Sequence, residues 1–202
     1  MKKVFITGIS KGIGRAIAEK LLEIGGYQIS GSCRIPDAVK DKLPNVEYIE
    51  LDLSKSESII ECGKKIQDID IMINNAGQSQ IGAIEDLSME KIKNLYEINL
   101  FGNIELIKQV IPFMRKRKQG LIINIGSMTG TFPLPLYSSY CGSKAAYQMF
   151  SMCIRQELNQ FGIKVTHIEP NDIKTTITPE LIYTENGPYQ QLATTVREQV
   201  RI

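Results

Sequence analysis

A glycine-rich hinge near the start of the chain constrains the fold more than any other feature. Lys3-Val4-Phe5-Ile6 has the apolar character of a short buried strand, and Thr7-Gly8-Ile9-Ser10-Lys11-Gly12-Ile13-Gly14 comes directly after it. A helical pattern then runs through Ile17, Leu21 and Leu22. Glycines at 8, 12 and 14 permit a tight turn, a close backbone approach and a helix packed hard against the strand. The bare N–H groups at such a helix start can face a pyrophosphate. The spacing is Gly-x-x-x-Gly-x-Gly, which differs from the Gly-x-Gly-x-x-Gly of the general dinucleotide fingerprint. A glycine-rich turn can also be only a turn, so its meaning depends on the elements downstream.

Those elements alternate regularly. Apolar strand candidates fall at 3–7, 27–33, 46–50, 69–74, 121–125 and 163–169. Helical patterns lie between them near 12–24, 55–67, 88–117 and 138–161, with a weak connection near 37–42. Runs such as Leu121-Ile122-Ile123 do not alternate with polar residues, which suits a sheet covered on both faces. Strand–helix alternation with right-handed crossovers predicts an α/β, doubly wound parallel sheet in three layers, Rossmann-like. The 202 residues suit a single domain, 1–202, with 176–202 as a substrate-side segment.

Composition excludes several classes. Hydrophobic content of 43%, charge of 23% and a net charge of +2 are those of an ordinary globular protein, with no case for nucleic acid or membrane as partner. No stretch approaches the length of a membrane span, and no signal peptide is expected, because glycines interrupt the apolar run after Ile6. Cys33, Cys62, Cys141 and Cys153 show no metal-ligand spacing, so free thiols in a reducing cytoplasm are expected and no metal site. His167, the sole histidine, sits in a strand pattern and is read as packed or locally bonded. The basic run at 115–118 is read as the solvated end of a helix.

The chemistry concentrates at Ser127 and at Tyr140-Cys141-Gly142-Ser143-Lys144. Tyr140 and Lys144 stand four residues apart and so share one face of a helix. A free tyrosine is a poor proton carrier near neutral pH, and a neighbouring ammonium favours the phenolate and draws its pKa toward the working range. Ser127 can hold a substrate oxygen while Tyr140 moves the proton. Tyr-x-x-x-Lys alone is a weak signal, and its weight comes from the glycine hinge that precedes it.

Together these motifs resemble the short-chain dehydrogenase/reductase family, from Thr7 to about Thr176. Thr7-Gly8-x-x-x-Gly12-x-Gly14, with Ser10, Lys11 and Ile13 inside it, is similar to the coenzyme loop. Asn74-Asn75-Ala76-Gly77 resembles the segment beside the adenosine ribose. Asn99 in Asn-Leu-Phe-Gly matches the active-site asparagine, and Ser127, Tyr140 and Lys144 complete a tetrad. The resemblance implies a nicotinamide-dependent carbonyl reductase or alcohol dehydrogenase. In it Tyr140 is general acid/base, Ser127 stabilises the substrate oxygen, and Lys144 binds the nicotinamide ribose and lowers the Tyr140 pKa. Asp52, with Leu53 beside it, matches the adenine contact, although Asp52 could instead cap the next helix. Ile173 and Thr175 fall at the carboxamide contacts.

Cofactor choice is expected to favour NADP(H), with NAD(H) possible. Cys33 replaces the carboxylate that would bond a ribose 2′-hydroxyl, Arg34 offers a fork for phosphate, and Lys11 adds a second cation. Two departures stand out. Pro170-Asn171 replaces the usual Pro-Gly, and the sequence reaches Ile202 without the family's seventh strand, so part of the substrate pocket and one sheet edge are expected to be missing. Leu134, Pro135 and Leu136, with 176–188, are expected to line a pocket for an apolar carbonyl compound. The helix over 138–161 is apolar nearly all round, which implies a homo-oligomer, either a dimer through this helix and that over 88–117 or a tetramer. The competing reading is a nucleotide-binding sensor or scaffold without turnover. Another doubly wound enzyme, such as a methyltransferase, would leave Tyr140 and Lys144 unexplained.

Overall fold

In the computed structural model, residues 1–171, 173, 180–182 and 187–200 are described. Strands β1 (Lys2–Thr7), β2 (Tyr27–Cys33), β3 (Val46–Glu50), β4 (Ile71–Asn74), β6 (Gly120–Ile125) and β7 (Ile163–Ile168) form a six-stranded sheet in the order β3-β2-β1-β4-β6-β7. Every pairing in it is parallel. The six strands expected from the apolar runs are all present. A second, two-stranded sheet pairs β5 (Gln80–Gly82) with β8 (Glu180–Ile182). These three-residue strands are too short to imprint a periodicity, so the sequence pattern does not reveal them.

Both faces of the large sheet are buried, which is why its strands carry apolar residues without alternation. Along β1 the side chains point alternately to the two faces. Phe5 joins Met72, Ile122 and Val165 beneath α2 (Ser56–Lys65), α4 (Gly102–Arg117) and α5 (Ser138–Asn159), which contribute Ile59, Leu106, Ile107, Val110, Met114, Ile154 and Leu158. Val4 and Ile6 point the other way, toward Ile9, Ala18 and the apolar stripe of α1 (Gly12–Ile24). The strand order reverses between β1 and β4, so the carboxyl ends of these strands open on the crevice where a doubly wound sheet takes its ligand.

The helix expected over 88–117 is broken in two. Ser88 caps α3 (Met89–Tyr96) by accepting from the Lys91 N–H, and a π-helical turn over Glu97–Phe101 separates α3 from α4. The wide turn leaves the Ile98 carbonyl to a side-chain donor, Asn103 Nδ2 at 2.9 Å. At the basic end of α4, Arg117 is tied to the sheet by donating to the Gln67 and Ile69 carbonyls, so the run at 115–118 is not simply solvated. A further helix, α6 (Gln190–Val200), comes after the second sheet. Among the described residues no helix is long and apolar enough to cross a membrane.

Candidate active site

The glycine loop has the geometry its spacing predicted. Gly8 and Gly12 adopt left-handed backbone conformations, at φ 71° and 59°. A Cβ on Gly14 would lie 2.5 Å from the Gly8 carbonyl oxygen, so the loop and α1 can approach this closely only through glycine. Thr7, fully buried, clamps the neighbouring strand end: its Oγ1 accepts from the N–H groups of Asn75 and Ala76, each at 2.9 Å. Asn75 Nδ2 returns the tie by donating to the Thr7 carbonyl at 2.9 Å. Ile9 is buried beneath the loop, whereas Ser10 and Ile13 are half-buried and Lys11 is exposed. No side chain caps the α1 N-terminus at Lys11 and no acid occupies its first turn. The orphan N–H groups therefore remain available to an anion, with the positive end of the helix dipole behind them.

Further along the crevice, Arg34 is exposed just past β2. Asp52 makes a local turn: its Oδ1 accepts from Ser54 N at 3.0 Å and from Ser54 Oγ at 2.7 Å. Burial works against its charge, but these bonds, with Lys55 and Arg34, outweigh it and hold the carboxyl below the usual aspartate range. Asp52 thus organises the loop ahead of α2 without capping the helix itself, whose N-cap is Lys55. Leu53 is buried, and its carbonyl backs against Gly102, where a Cβ would come within 2.1 Å. Ile173 is 49% exposed, and Thr175 lies outside the described residues.

Asn99, Ser127, Tyr140 and Lys144 converge beside this crevice. The π turn carries Asn99 inward, where its Oδ1 accepts from Gln78 N at 2.8 Å. Its Nδ2 donates to the Gln78 carbonyl at 2.9 Å and to Ser143 Oγ at 3.2 Å. Asn99 is therefore locked to both the β4 loop and α5. A Cβ on Gly77 would sit 3.1 Å from Asn99 Oδ1 and 3.6 Å from Lys144 Nζ, so this glycine leaves the space between them open. Lys144 is buried, donating to the Ile125 carbonyl at 3.3 Å, and its Nζ lies 5.8 Å from the centre of the Tyr140 ring. Ser127, two residues past the end of β6, lies beside the Tyr140 side chain.

The electrostatics differ from the simple picture of an ammonium that acidifies a phenol. Burial is the largest influence on Tyr140 and pushes its pKa up, with the neighbouring Ser127 hydroxyl acting in the opposite direction. Burial also pulls Lys144 down to about 8. The helical spacing correctly brings the two side chains together, but Lys144 faces the ring and the strand carbonyl, and desolvation dominates both groups.

Beside Tyr140, the buried residues Ile81, Ala83, Leu136, Tyr137, Ala193 and Val196 form an apolar cluster against which Leu134, Tyr140, Cys141 and Tyr189 pack. Leu134 and Leu136 belong to this cluster, Pro135 is exposed, and much of 176–188 lies outside the described residues. Leu136 takes a left-handed conformation, φ 65°, and its carbonyl accepts from Gly82 N at 2.8 Å, joining the second sheet to the start of α5. Nothing in the local sequence singles out Gln78 or Asn103, because each acts only through a contact made in the folded chain. His167 is packed within the fold and meets Ser151 Oγ of α5 at 3.2 Å, a partner from another element and not a neighbour in sequence.

Comparison with known proteins agrees with this geometry. Residues 2–186 match the family model described as short chain dehydrogenase. An uncharacterized oxidoreductase, YusZ, from Bacillus subtilis is 35% identical over 188 residues, covering 87% of this chain and 66% of the relative, so the chain spans about two thirds of that protein's length. A short-chain dehydrogenase structure from Streptomyces avermitilis superposes with a TM-score of 0.89 at 30% identity, covering 100% of this chain and 79% of that one. A second, from Sphingobium yanoikuyae in complex with NADPH, gives 0.78 at 26% identity over 98% and 85% of the two chains. The chain belongs to the short chain dehydrogenase family.

Proposed function

We propose that this protein is an NADP(H)-dependent oxidoreductase that interconverts a carbonyl compound and its alcohol, with Tyr140 as general acid/base. The observation that carries the reading is the convergence of Ser127, Tyr140 and Lys144 beside an uncapped, glycine-lined helix start at the switch point of the sheet. The bare N–H groups around Gly8, Ser10, Lys11, Gly12, Ile13 and Gly14 suit a pyrophosphate, Asp52 and Leu53 suit the adenine, and Asn75, Ala76 and Gly77 suit the adjoining ribose. Ile173 and Thr175 are assigned to the carboxamide. Arg34 and Lys11 are exposed cations able to meet a 2′-phosphate, and the structure from Sphingobium yanoikuyae holds NADPH.

The bound nicotinamide supplies or accepts the hydride. The chain's own residues handle the proton and the developing charge. Tyr140 delivers its phenolic proton to the substrate oxygen in reduction and removes it in oxidation. Ser127 donates to the same oxygen and stabilises its negative charge. Lys144, whose pKa burial draws down to about 8, stands beside the Tyr140 ring and is assigned to the nicotinamide ribose. Asn99, held by Gln78 and Ser143, keeps the floor of this group in register. The apolar cluster around Tyr140 excludes water and suits an apolar carbonyl substrate.

We place the protein in a reducing compartment such as the cytoplasm, because Cys33, Cys62, Cys141 and Cys153 are all free. It assembles as a homo-oligomer through α4 and α5, where Met149 and Met152 of α5 are 60% and 50% exposed and Phe101, at the end of the π turn that leads into α4, is 52% exposed.

The test is NADPH oxidation against a panel of apolar aldehydes and ketones, with nucleotide binding measured in parallel. Turnover that falls at least about 100-fold in Tyr140→Phe, with nucleotide affinity retained, is the expected result. Binding without turnover of any carbonyl would make the protein a nucleotide-binding sensor, and near-native turnover in Tyr140→Phe would remove the proposed proton path.

A further inference from the structure

The only histidine of the chain, His167, is brought by the fold against the residue that precedes Ser127. A Cβ on Gly126 would lie 2.1 Å from its Nε2 and 2.6 Å from its Cε1, so the imidazole edge is seated on the Gly126 backbone. The same stretch runs alongside the end of β7. Gly126 N donates to the Ile168 carbonyl at 2.7 Å and Met128 N to the Pro170 carbonyl at 3.1 Å, with Ser127 between these two bonds. The backbone that carries Ser127 is thus tied to 168–170 and rests on the His167 ring.

The buried polar chain behind the ring fixes its tautomer. Ser151 Oγ stands 2.7 Å from the Tyr147 carbonyl, which has no proton of its own, so the single Ser151 proton is committed there. Asn124 Nδ2 donates to the same hydroxyl oxygen at 2.8 Å, and the remaining contact, from His167 Nδ1 at 3.2 Å, is therefore a donor as well. His167 carries its hydrogen on Nδ1, and Nε2 keeps a bare lone pair. That nitrogen is buried without a hydrogen-bond partner among the described residues, on a side chain only 8% exposed. Two charged groups face the ring: Glu169 beyond β7, with Oε1 3.9 Å from Nε2, favours protonation, and Lys144 of α5 opposes it. Tyr147 of α5 meets the ring edge-on at 5.9 Å and is kept neutral by burial. Burial outweighs Glu169 and holds His167 below the ordinary histidine range.

We infer that neutral His167 is a positioning residue for Ser127, whose bare Nε2 edge supports Gly126 and whose protonation at Nε2 withdraws that support. The added hydrogen meets a backbone already in contact, and its nearest acceptor is Glu169. Glu169 in turn faces Thr131 Oγ1 at 3.4 Å, four residues past Ser127. A tilt of the ring away from Gly126 and a swing of Glu169 away from Thr131 both act on the turn that holds Ser127. The inference rests on the proposed role of Ser127 at the substrate oxygen. It makes carbonyl reduction fail in acid, where Tyr140, its pKa raised by burial, still carries its proton.

A lone histidine makes its imidazole signals in nuclear magnetic resonance unambiguous. At neutral pH the nitrogen shifts should report the neutral Nδ1–H form, with a midpoint below the usual value of about 6.5. The nuclear Overhauser contact between the imidazole C–H and the Gly126 Hα should weaken through that midpoint. In the reductive direction kcat should fall at least about 10-fold through the same midpoint, with KM for NADPH unchanged. His167→Asn keeps a donor for Ser151 but neither ionises nor reaches Gly126. It should lower kcat by about 10-fold at neutral pH and leave it nearly flat between roughly pH 5 and 7. Should that variant fold poorly, Glu169→Gln carries the comparison, since loss of the favouring charge should move the His167 midpoint and the acid fall of kcat to lower pH together. A neutral Nε2–H form, a Gly126 contact unchanged through the midpoint, an acid fall that survives in His167→Asn, or a kcat profile that stays put while the midpoint moves in Glu169→Gln overturns the inference. Failure of the underlying reading looks different: Tyr140→Phe would then keep its turnover, whatever tautomer and Gly126 contact the spectra show.

Discussion

Replacing Lys144 by methionine should make the protein more stable at neutral pH while destroying its activity. Lys144 is only 6% exposed, its single hydrogen bond runs to the Ile125 carbonyl at 3.3 Å, and burial alone accounts for the fall of its pKa from 10.5 to about 8. The unfolded chain holds this proton more tightly than the folded one, so burying the ammonium costs stability fully below pH 8, and the cost is relieved as pH rises toward 10.5. A shift of this size corresponds to about 3 kcal/mol at pH 7. Lys144→Met retains most of the stem's packing but leaves the Ile125 carbonyl without its donor, a loss of about 1 kcal/mol. The balance is a gain of about 2 kcal/mol, or a rise in Tm of about 4–8 °C for a chain of this size. Thermal melts of both proteins should be recorded without added nucleotide, whose binding would stabilise the native enzyme alone. At pH 10 the difference should largely vanish, because the native lysine is then neutral. A variant with unchanged or lower Tm at pH 7, or a gain that persists undiminished at pH 10, refutes the argument that burial of this charge opposes stability.

Arg34→Glu, at an exposed position just past β2, should lower the ratio of NADPH to NADH kcat/KM at least about 10-fold, since it exchanges a phosphate-binding cation for a repelling anion. An unaltered ratio in steady-state assays would remove Arg34 from the nucleotide site. Met149→Glu combined with Met152→Glu should convert the oligomer to monomers by light scattering, and the melting temperature should fall and lose its dependence on protein concentration while the protomer stays folded, because both side chains face outward from it. Phe150→Glu is expected to unfold the chain instead: Phe150 packs on the core and stacks on Tyr147, with ring centres 6.3 Å apart. A native protein that is monomeric at micromolar concentration would contradict the proposed interface.

The large sheet was legible because burial on both faces leaves a local trace. Val4 and Ile6 serve one core and Phe5 the other, so every position of the run must be apolar, and the run itself announces the strand. The break inside 88–117 left no such trace. The amphipathic pattern continues through the π turn, and the side chain that compensates for it, Asn103, reads in sequence as an ordinary polar residue. The buried polar chain that crosses the sheet was equally hidden. Asn74 donates to Asn124, Asn124 to Ser151, and Ser151 meets His167, joining β4, β6, α5 and β7 through residues 16 to 50 positions apart. Each partner is ordinary alone, and only the register of the parallel strands brings them together.

The candidate site divides along the same line. Residues whose role depends on backbone conformation or helical spacing, such as Gly8, Gly12, Gly14 and the Tyr140–Lys144 pair, could be placed from local sequence because the physics that selects them acts over a few residues. Their electrostatics could not. Whether Lys144 acidifies Tyr140 depends on how deeply both are buried and on which atom the ammonium approaches, and those are properties of the packed sheet and α5. Ser127 is the intermediate case. Its neighbour Thr129 stands two residues away, well within local reach. The 3-10 turn folds the threonine back onto the serine oxygen, a contact that spacing alone does not announce. Local sequence thus identifies which groups can carry a proton, while the burial and partners that tune them are set by contacts that form only when β6, β7 and α5 are assembled.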